Sequence, residues 1–264
     1  MYEWRMTCRR KAQVYASQRG LKLRDADFGH LEHFHYGGEK SCEALNQAIG
    51  GPKEMSILDL GCGIGASARS IVRLSGREII GVDTNGEFIE YGRTHSPSQI
   101  SYHLGTFDDF GLIYDAWFAL LLFVHVQDPM SLVERVEQRC RQKGLYWVDT
   151  IIGDLSPVVD GKTWTMDVIE AAFPDGVIHC MNHYWSWWTC QRLERFFMRR
   201  SFFEELYGAE IVRKRCILYE NVAEGFESGK LEGRRIVGKN CQPFEQDSRN
   251  EDVCIIEFDQ IGEV

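Results

Sequence analysis

Ser56-Ile57-Leu58-Asp59-Leu60-Gly61-Cys62-Gly63-Ile64-Gly65 reads as a short apolar strand running into three glycines at alternate positions. The next residues, ASARSIVRLS (66–75), continue as an amphipathic helix closed by Gly76. Closely spaced glycines between a strand and a helix let a ligand approach the backbone where side chains would collide. EIIGVD (78–83) is a second strand, and it ends on Asp83, eighteen residues beyond Gly65. A carboxylate at that place can accept both hydroxyls of a ribose.

Working outward, strand and helix keep alternating. TNGEFIEYGRTH (84–95) is a second helix and ISYHLG (100–105) a third strand. YDAWFALLLFVHV (114–126) is a long apolar run ending a fourth strand. SLVERVEQRCRQKG (131–144) is an amphipathic helix with a glycine stop at Gly144, and LYWVDTII (145–152) is a fifth strand. Near-continuous apolar strands alternating with helices imply an α/β fold whose parallel sheet is covered on both faces. Residues 1–50 form a helical lead-in, or lid, with a turn-like HFHYGG (33–38), and 51–152 form the core. Residues 153–200, rich in aromatic side chains, read as a cap inserted over the carboxyl edge of the sheet. Residues 201–264 complete the core: a helix around SFFEELYG (201–208), a strand AEIVRKRCILY (209–219), a polar surface excursion (220–250) and a last strand DVCIIEF (252–258).

Composition narrows the partners. The 264 residues carry 30 Lys and Arg against 39 Asp and Glu, a net charge of −9. That balance argues against a nucleic-acid groove, where a basic stripe is expected. No stretch approaches ~18 consecutive apolar residues, so no membrane span is expected. Glu3 and the scarcity of serine set the arginine-rich N-terminus apart from a transit peptide. Nine cysteines at irregular spacing, none in a C-x-x-C pair, read as reduced thiols of a cytoplasmic protein. A small-molecule substrate is the expected partner, in a monomer or a homo-oligomer.

Two ligands fit the glycine turn. Read as G-x-G-x-x-A through Gly61, Gly63 and Ala66, it is a dinucleotide fingerprint. Asp59 favours another reading, because its carboxylate would repel a pyrophosphate and attract a sulfonium cofactor with a free amino group. With these residues in place, the chain resembles the class I S-adenosylmethionine-dependent methyltransferases, whose first motif is similar to LDLGCGIG (58–65) and whose second is similar to IIGVD (79–83). The resemblance covers about 30–150, and 200–258 more loosely. It implies a Rossmann-like, doubly wound sheet of seven strands, mostly parallel with an antiparallel last strand, and S-adenosylmethionine as cofactor. By the same likeness Gly61, Cys62, Gly63 and Gly65 line the methionine and ribose part, Asp83 holds the ribose and Thr84 flanks the adenine. Tyr36, Gly38 and Leu120 complete the cofactor set. The third motif departs from the family: Thr106 follows Gly105 where many members have Asp. Thr106 and Phe107 are assigned to the adenine end, and Asp108 is a stand-in for the missing acid.

Methyl transfer needs alignment, exclusion of water and, for an amine or hydroxyl, removal of a proton. His125, at the end of the fourth strand, is the candidate proton acceptor. Tyr36, in the turn before the first strand, resembles the lid tyrosine of phosphoethanolamine methyltransferases, which faces a histidine over the substrate amine. The same lid segment resembles those of the sarcosine/dimethylglycine, tocopherol and prenyl-diphosphate enzymes. His35, His125, Tyr184, Trp185 and Trp188 are assigned to the substrate, since aromatic walls hold a methylated ammonium or an apolar ring equally well. Arg192, Arg195, Arg199 and Arg200 read as a solvated helix face, with phosphate binding as the alternative. His33 and His35 lack partners at a recognised metal spacing, so no metal is predicted. The expected reaction is methylation of a small-molecule amine. C- or O-methylation of an apolar metabolite, an NAD(P)-dependent oxidoreductase and a non-methylating protein on the same fold remain open.

Overall fold

The computed structural model describes residues 35–153, 164–198 and 200–244. The alternation read from the sequence is present: α1 (Gly38–Ile49), β1 (Ser56–Leu60), α2 (Ala66–Ser75), β2 (Glu78–Asp83), α3 (Gly86–His95), β3 (Ile100–Leu104), β4 (Ala116–Leu120), α4 (Pro129–Arg139) and β5 (Tyr146–Gly153). Then come α5 (Met166–Ala172), β6 (Val177–Cys180), α6 (Asn182–Met198), α7 (Arg200–Tyr207), α8 (Ala209–Glu227) and β7 (Leu231–Val237). Local chemistry sets several boundaries. The Asn85 side chain accepts from the N–H groups of Glu87 and Phe88 at the start of α3. Asp128 accepts from Ser131 N–H at the start of α4, with Pro129 in the first turn.

The strands form one seven-stranded sheet in the order β3-β2-β1-β4-β5-β7-β6. β1 pairs in parallel with β2 and β4, and β4 with β5, whereas β7 runs antiparallel to both β5 and β6. Successive residues of each central strand feed opposite faces. Ile57, Phe118 and Trp147 join the apolar cluster under α1 and α2, with Leu45 and Ile71. Leu58, Trp117 and Val148 join the cluster under α4 and α5, with Val136 and Ile169. The sheet is therefore doubly wound, and its strand order reverses between β1 and β4, which opens a crevice at their carboxyl ends.

Four readings of the elements need correction. AEIVRKRCILY is not a strand but the first part of α8, which continues to Glu227. Val212, Arg215, Tyr219, Val222 and Phe226 recur at helical spacing and give that helix an inner face. The first part of the supposed surface excursion is thus helix, and LEGRRIV (231–237) within it is the antiparallel strand β7 between β5 and β6. The fourth strand stops at Leu120, so His125 ends a short 3-10 helix (Leu122–His125) rather than the strand. Finally, α4 ends at Arg139 with Cys140 as its cap, and Gly144 serves the turn into β5 at φ 71°. DVCIIEF lies outside the described residues, as do His33, Phe34, Arg199 and the side chain of Arg195. Among the described residues no helix is long and apolar enough to cross a membrane, and seven cysteines are free.

Candidate functional site

A cavity of about 520 Å³ occupies the crevice. Its floor comes from the carboxyl ends of three strands: Asp59 and Gly61–Ile64 after β1, Asp83–Asn85 after β2, and Leu120–Leu122, Val124 and His125 after β4. Its other walls come from His35 and Tyr36, from Trp188 and Arg192 of α6, and from Arg215, Leu218, Tyr219 and Val222 of α8.

The glycine turn divides its labour. Gly61, Gly63 and Gly65 all have positive φ, the left-handed region that glycine enters without penalty. A Cβ on Gly65 would collide with the Tyr102 hydroxyl, and one on Gly61 would press on Leu122. A Cβ on Gly63 would meet nothing within 4 Å, so only a ligand has a claim on that space. Gly65 does not line the cavity; it caps α2 at φ 78°. Asp83 accepts from Gly63 N–H at 2.9 Å through one oxygen and from Asn85 N–H at 2.8 Å through the other. These bonds fix the carboxylate against the turn while leaving each oxygen a second lone pair.

Asp59 is only 3% exposed, and its Oδ2 has no hydrogen-bond partner among the described residues. Burial, and secondarily the charge of Asp83, pushes its pKa well above the usual carboxylate range. An unpaired carboxylate oxygen in a cavity wall suits a ligand's ammonium group. Cys62 is also buried, and burial raises its thiol, with Asp59 adding to the effect; it stays a neutral wall.

Tyr36 stacks on Trp185 with ring centres 4.8 Å apart, and meets Trp188 and Phe226 edge-on. Burial drives its phenol pKa upward, which keeps the hydroxyl protonated. His35 is buried, with Nδ1 3.0 Å from the Tyr36 carbonyl and Nε2 3.8 Å from Cys42 Sγ. Its pKa is pushed down to about 4 by desolvation, which keeps it neutral. His125 is exposed and lines the cavity; desolvation lowers its pKa below 6.5, against a smaller opposing effect of Asp83. A neutral imidazole is the form that accepts a proton.

The structure thus gathers Tyr36, Asp59, Gly61, Cys62, Gly63, Asp83, Thr84, Leu120, His35, His125 and Trp188 around one cavity. It places seven other sequence candidates elsewhere. Gly65 serves the turn, and Gly38 opens α1. Thr106 caps a 3-10 turn with Asp109. Phe107 is buried in the core beside Tyr114, with the Arg139 guanidinium 4.6 Å from its ring centre. Tyr184 packs on Gly37, and Trp185, fully buried, packs on Tyr36 and Gly233. Asp108 pairs with Arg135 at 3.0 Å. Arg192 is a correction: it is 7% exposed, not solvated, with its guanidinium 4.2 Å from the centre of the Trp188 ring. Arg215, Leu218 and Tyr219 were missed because their segment reads as a strand, and Val222 because it falls in the supposed surface excursion; their i, i+3, i+4, i+7 spacing is the signal that finds them. Asn85 and Ser67, also in the wall, carried no motif signal.

Residues 58–148 match the protein family described as a methyltransferase domain. Over 147 residues the chain is 30% identical to a sterol 24-C-methyltransferase of Yarrowia lipolytica, covering 47% of this chain and 39% of that protein. Over 136 residues it is 29% identical to a ubiquinone biosynthesis O-methyltransferase of Klebsiella pneumoniae, covering 49% of this chain and 53% of that one. The chain spans about half the length, or less, of these curated relatives. In fold it is similar to phosphoethanolamine N-methyltransferase 2 of Haemonchus contortus, solved with phosphomonomethylethanolamine and S-adenosylhomocysteine. The TM-score is 0.65 at 16% identity, over 78% of this chain and 54% of that one. The matched segment runs from Leu58 in β1 to Val148 in β5, through the glycine turn and Asp83. Over that segment the chain is similar to the methyltransferase-domain family.

Proposed function

We propose that this protein transfers a methyl group from S-adenosylmethionine to a small-molecule acceptor, with an amine nitrogen as the first choice. The observation that carries the cofactor is Asp59, whose buried, unpartnered oxygen faces a cavity that Gly63 leaves open. Asp59 would hold the amino group of the cofactor's methionine part, Asp83 the ribose hydroxyls, and Thr84 the approach to the base. When bound, the cofactor supplies an electrophilic methyl on sulfur. The chain's own part is to orient the acceptor against Tyr36, to keep water out with Leu121, Val124 and Leu218, and to take the acceptor's proton on an imidazole nitrogen of His125. The low pKa of His125 supports that role at neutral pH. O-methylation is the second reading, favoured by the ubiquinone-pathway relative; the same neutral imidazole accepts a proton from a hydroxyl.

Calorimetric titration with S-adenosylhomocysteine, with NAD and NADP as controls, tests the reading first. Micromolar binding of the adenosyl compound alone is expected. Preference for a nicotinamide would replace the proposal with an oxidoreductase. Amines and phenols are then compared as acceptors by the S-adenosylhomocysteine they release.

A further inference from the structure

The cavity is charged in two opposite senses. The strand ends contribute the carboxylates Asp59 and Asp83, whereas the cap helices contribute the guanidinium groups of Arg192 and Arg215. α6 and α8 pack on each other, and Arg215 and Tyr219 stand one turn apart on α8. Across from them, Arg192 donates to the Tyr219 hydroxyl at 3.4 Å and lies over the Trp188 ring. Three hydrogen-bonding groups, two of them cationic, thus meet on the wall that the cofactor does not need.

We propose that the methyl acceptor is an anion, with a carboxylate or phosphate group seated among Arg192, Arg215 and Tyr219. This rests on the methyl-transfer reading of the cavity and adds the substrate class to it. The geometry also speaks against a simple ammonium cage on Trp188. One face of that ring is covered by the Arg192 guanidinium, and a second cation there would be repelled. An anionic handle remote from the reacting atom anchors the acceptor, so that the atom to be methylated is turned toward Tyr36 and His125. Arginine forks suit both carboxylate and phosphate.

The test uses protein saturated with S-adenosylhomocysteine and follows tryptophan fluorescence, since Trp188 lies against Arg192. Inorganic phosphate, benzoate and choline chloride are titrated separately. Saturable binding of phosphate or benzoate, and none of choline, is expected; whichever anion binds identifies the handle. Arg192→Gln and Arg215→Gln should each weaken that binding at least about tenfold. The same two variants should keep their affinity for S-adenosylhomocysteine, which also shows that they are folded. Choline binding without anion binding, or anion binding indifferent to both substitutions, overturns the proposal while the methyl-transfer reading stands. Failure of the unmodified protein to bind S-adenosylhomocysteine is the separate result that removes the methyl-transfer reading.

Discussion

Asp59 combines two properties that pull against each other, ionisability and near-complete burial. A carboxyl group whose pKa is raised on folding holds its proton more tightly in the folded state, so stability declines as pH rises above the unfolded value of about 3.8. Asp59→Asn should therefore raise the melting temperature of the ligand-free protein at neutral pH, with the gain vanishing near pH 4. The same substitution should weaken S-adenosylhomocysteine binding by about 1.5–3 kcal/mol, roughly 10- to 150-fold. A paired thermal and calorimetric series checks both, and an unchanged affinity would remove Asp59 from the site. His125 makes a kinetic prediction. Since desolvation lowers its pKa, the acidic limb of kcat/KM should fall below pH 6.5, because protonation there removes the base. His125→Ala should abolish that limb and lower turnover about 100-fold or more while sparing cofactor binding. Gly63→Ala and Gly65→Ala separate contact from construction. Both carry the strain of a side chain at positive φ; beyond that shared loss of stability, the first should weaken ligand binding, since its Cβ enters open space, and the second should lower the melting temperature further through the clash with Tyr102.

At the level of elements, Asp149 on β5 ties α1 to the sheet. Its carboxylate accepts from Arg235 of β7 at 2.9 and 3.1 Å and stands 3.5 Å from the Ser41 hydroxyl of α1. Both charged side chains are fully buried, and Arg235 also lies 4.2 Å from the centre of the Trp147 ring. Leaving one member of such a pair unmatched costs about 3–5 kcal/mol. Arg235→Met should thus lower stability by about that amount in urea titration, and Asp149→Asn by a similar or smaller amount; a double variant milder than the sum would show the coupling. None of this was legible in the sequence. The partners are distant in the chain, and Arg235 falls in a segment, GKLEGRRIVGK, whose glycines and charges read as loop. The strand exists because β5 offers it a paired edge and Arg235 an acid, which are tertiary facts. The cofactor turn was legible because strand, glycines, helix and acid are contiguous, and each carries its own local reason.

Across the whole molecule, legibility fades from the amino-terminal half of the sheet toward the cap. β1 to β5 follow one another with short connections, so hydrophobic period and glycine punctuation are enough to find them. The cap half mixes a short edge strand with long helices whose inner faces are aromatic and cationic, and such faces show only once both helices are known. The misreading of residues 209–219 as a strand arose there: Ile211, Val212, Cys216 and Ile217 look like sheet, while the helical face through Arg215, Tyr219 and Val222 runs past the point where the reading stopped. The strand pairing nevertheless puts the departure and the return of this region side by side. The chain leaves β5 at Gly153 and enters β7 at Leu231, and those two residues are register partners. Trp188, Arg192, Arg215 and Tyr219 all lie on helices α6 and α8, between those two residues in the chain, whereas Asp59, Gly63, Asp83 and His125 precede them; the same stretch also supplies the edge strand β6 and the core helix α5. On the proposed reading, altering only the inner faces of α6 and α8 would change which acceptor fits, while β6 and α5, which belong to the sheet and its core, stay in place.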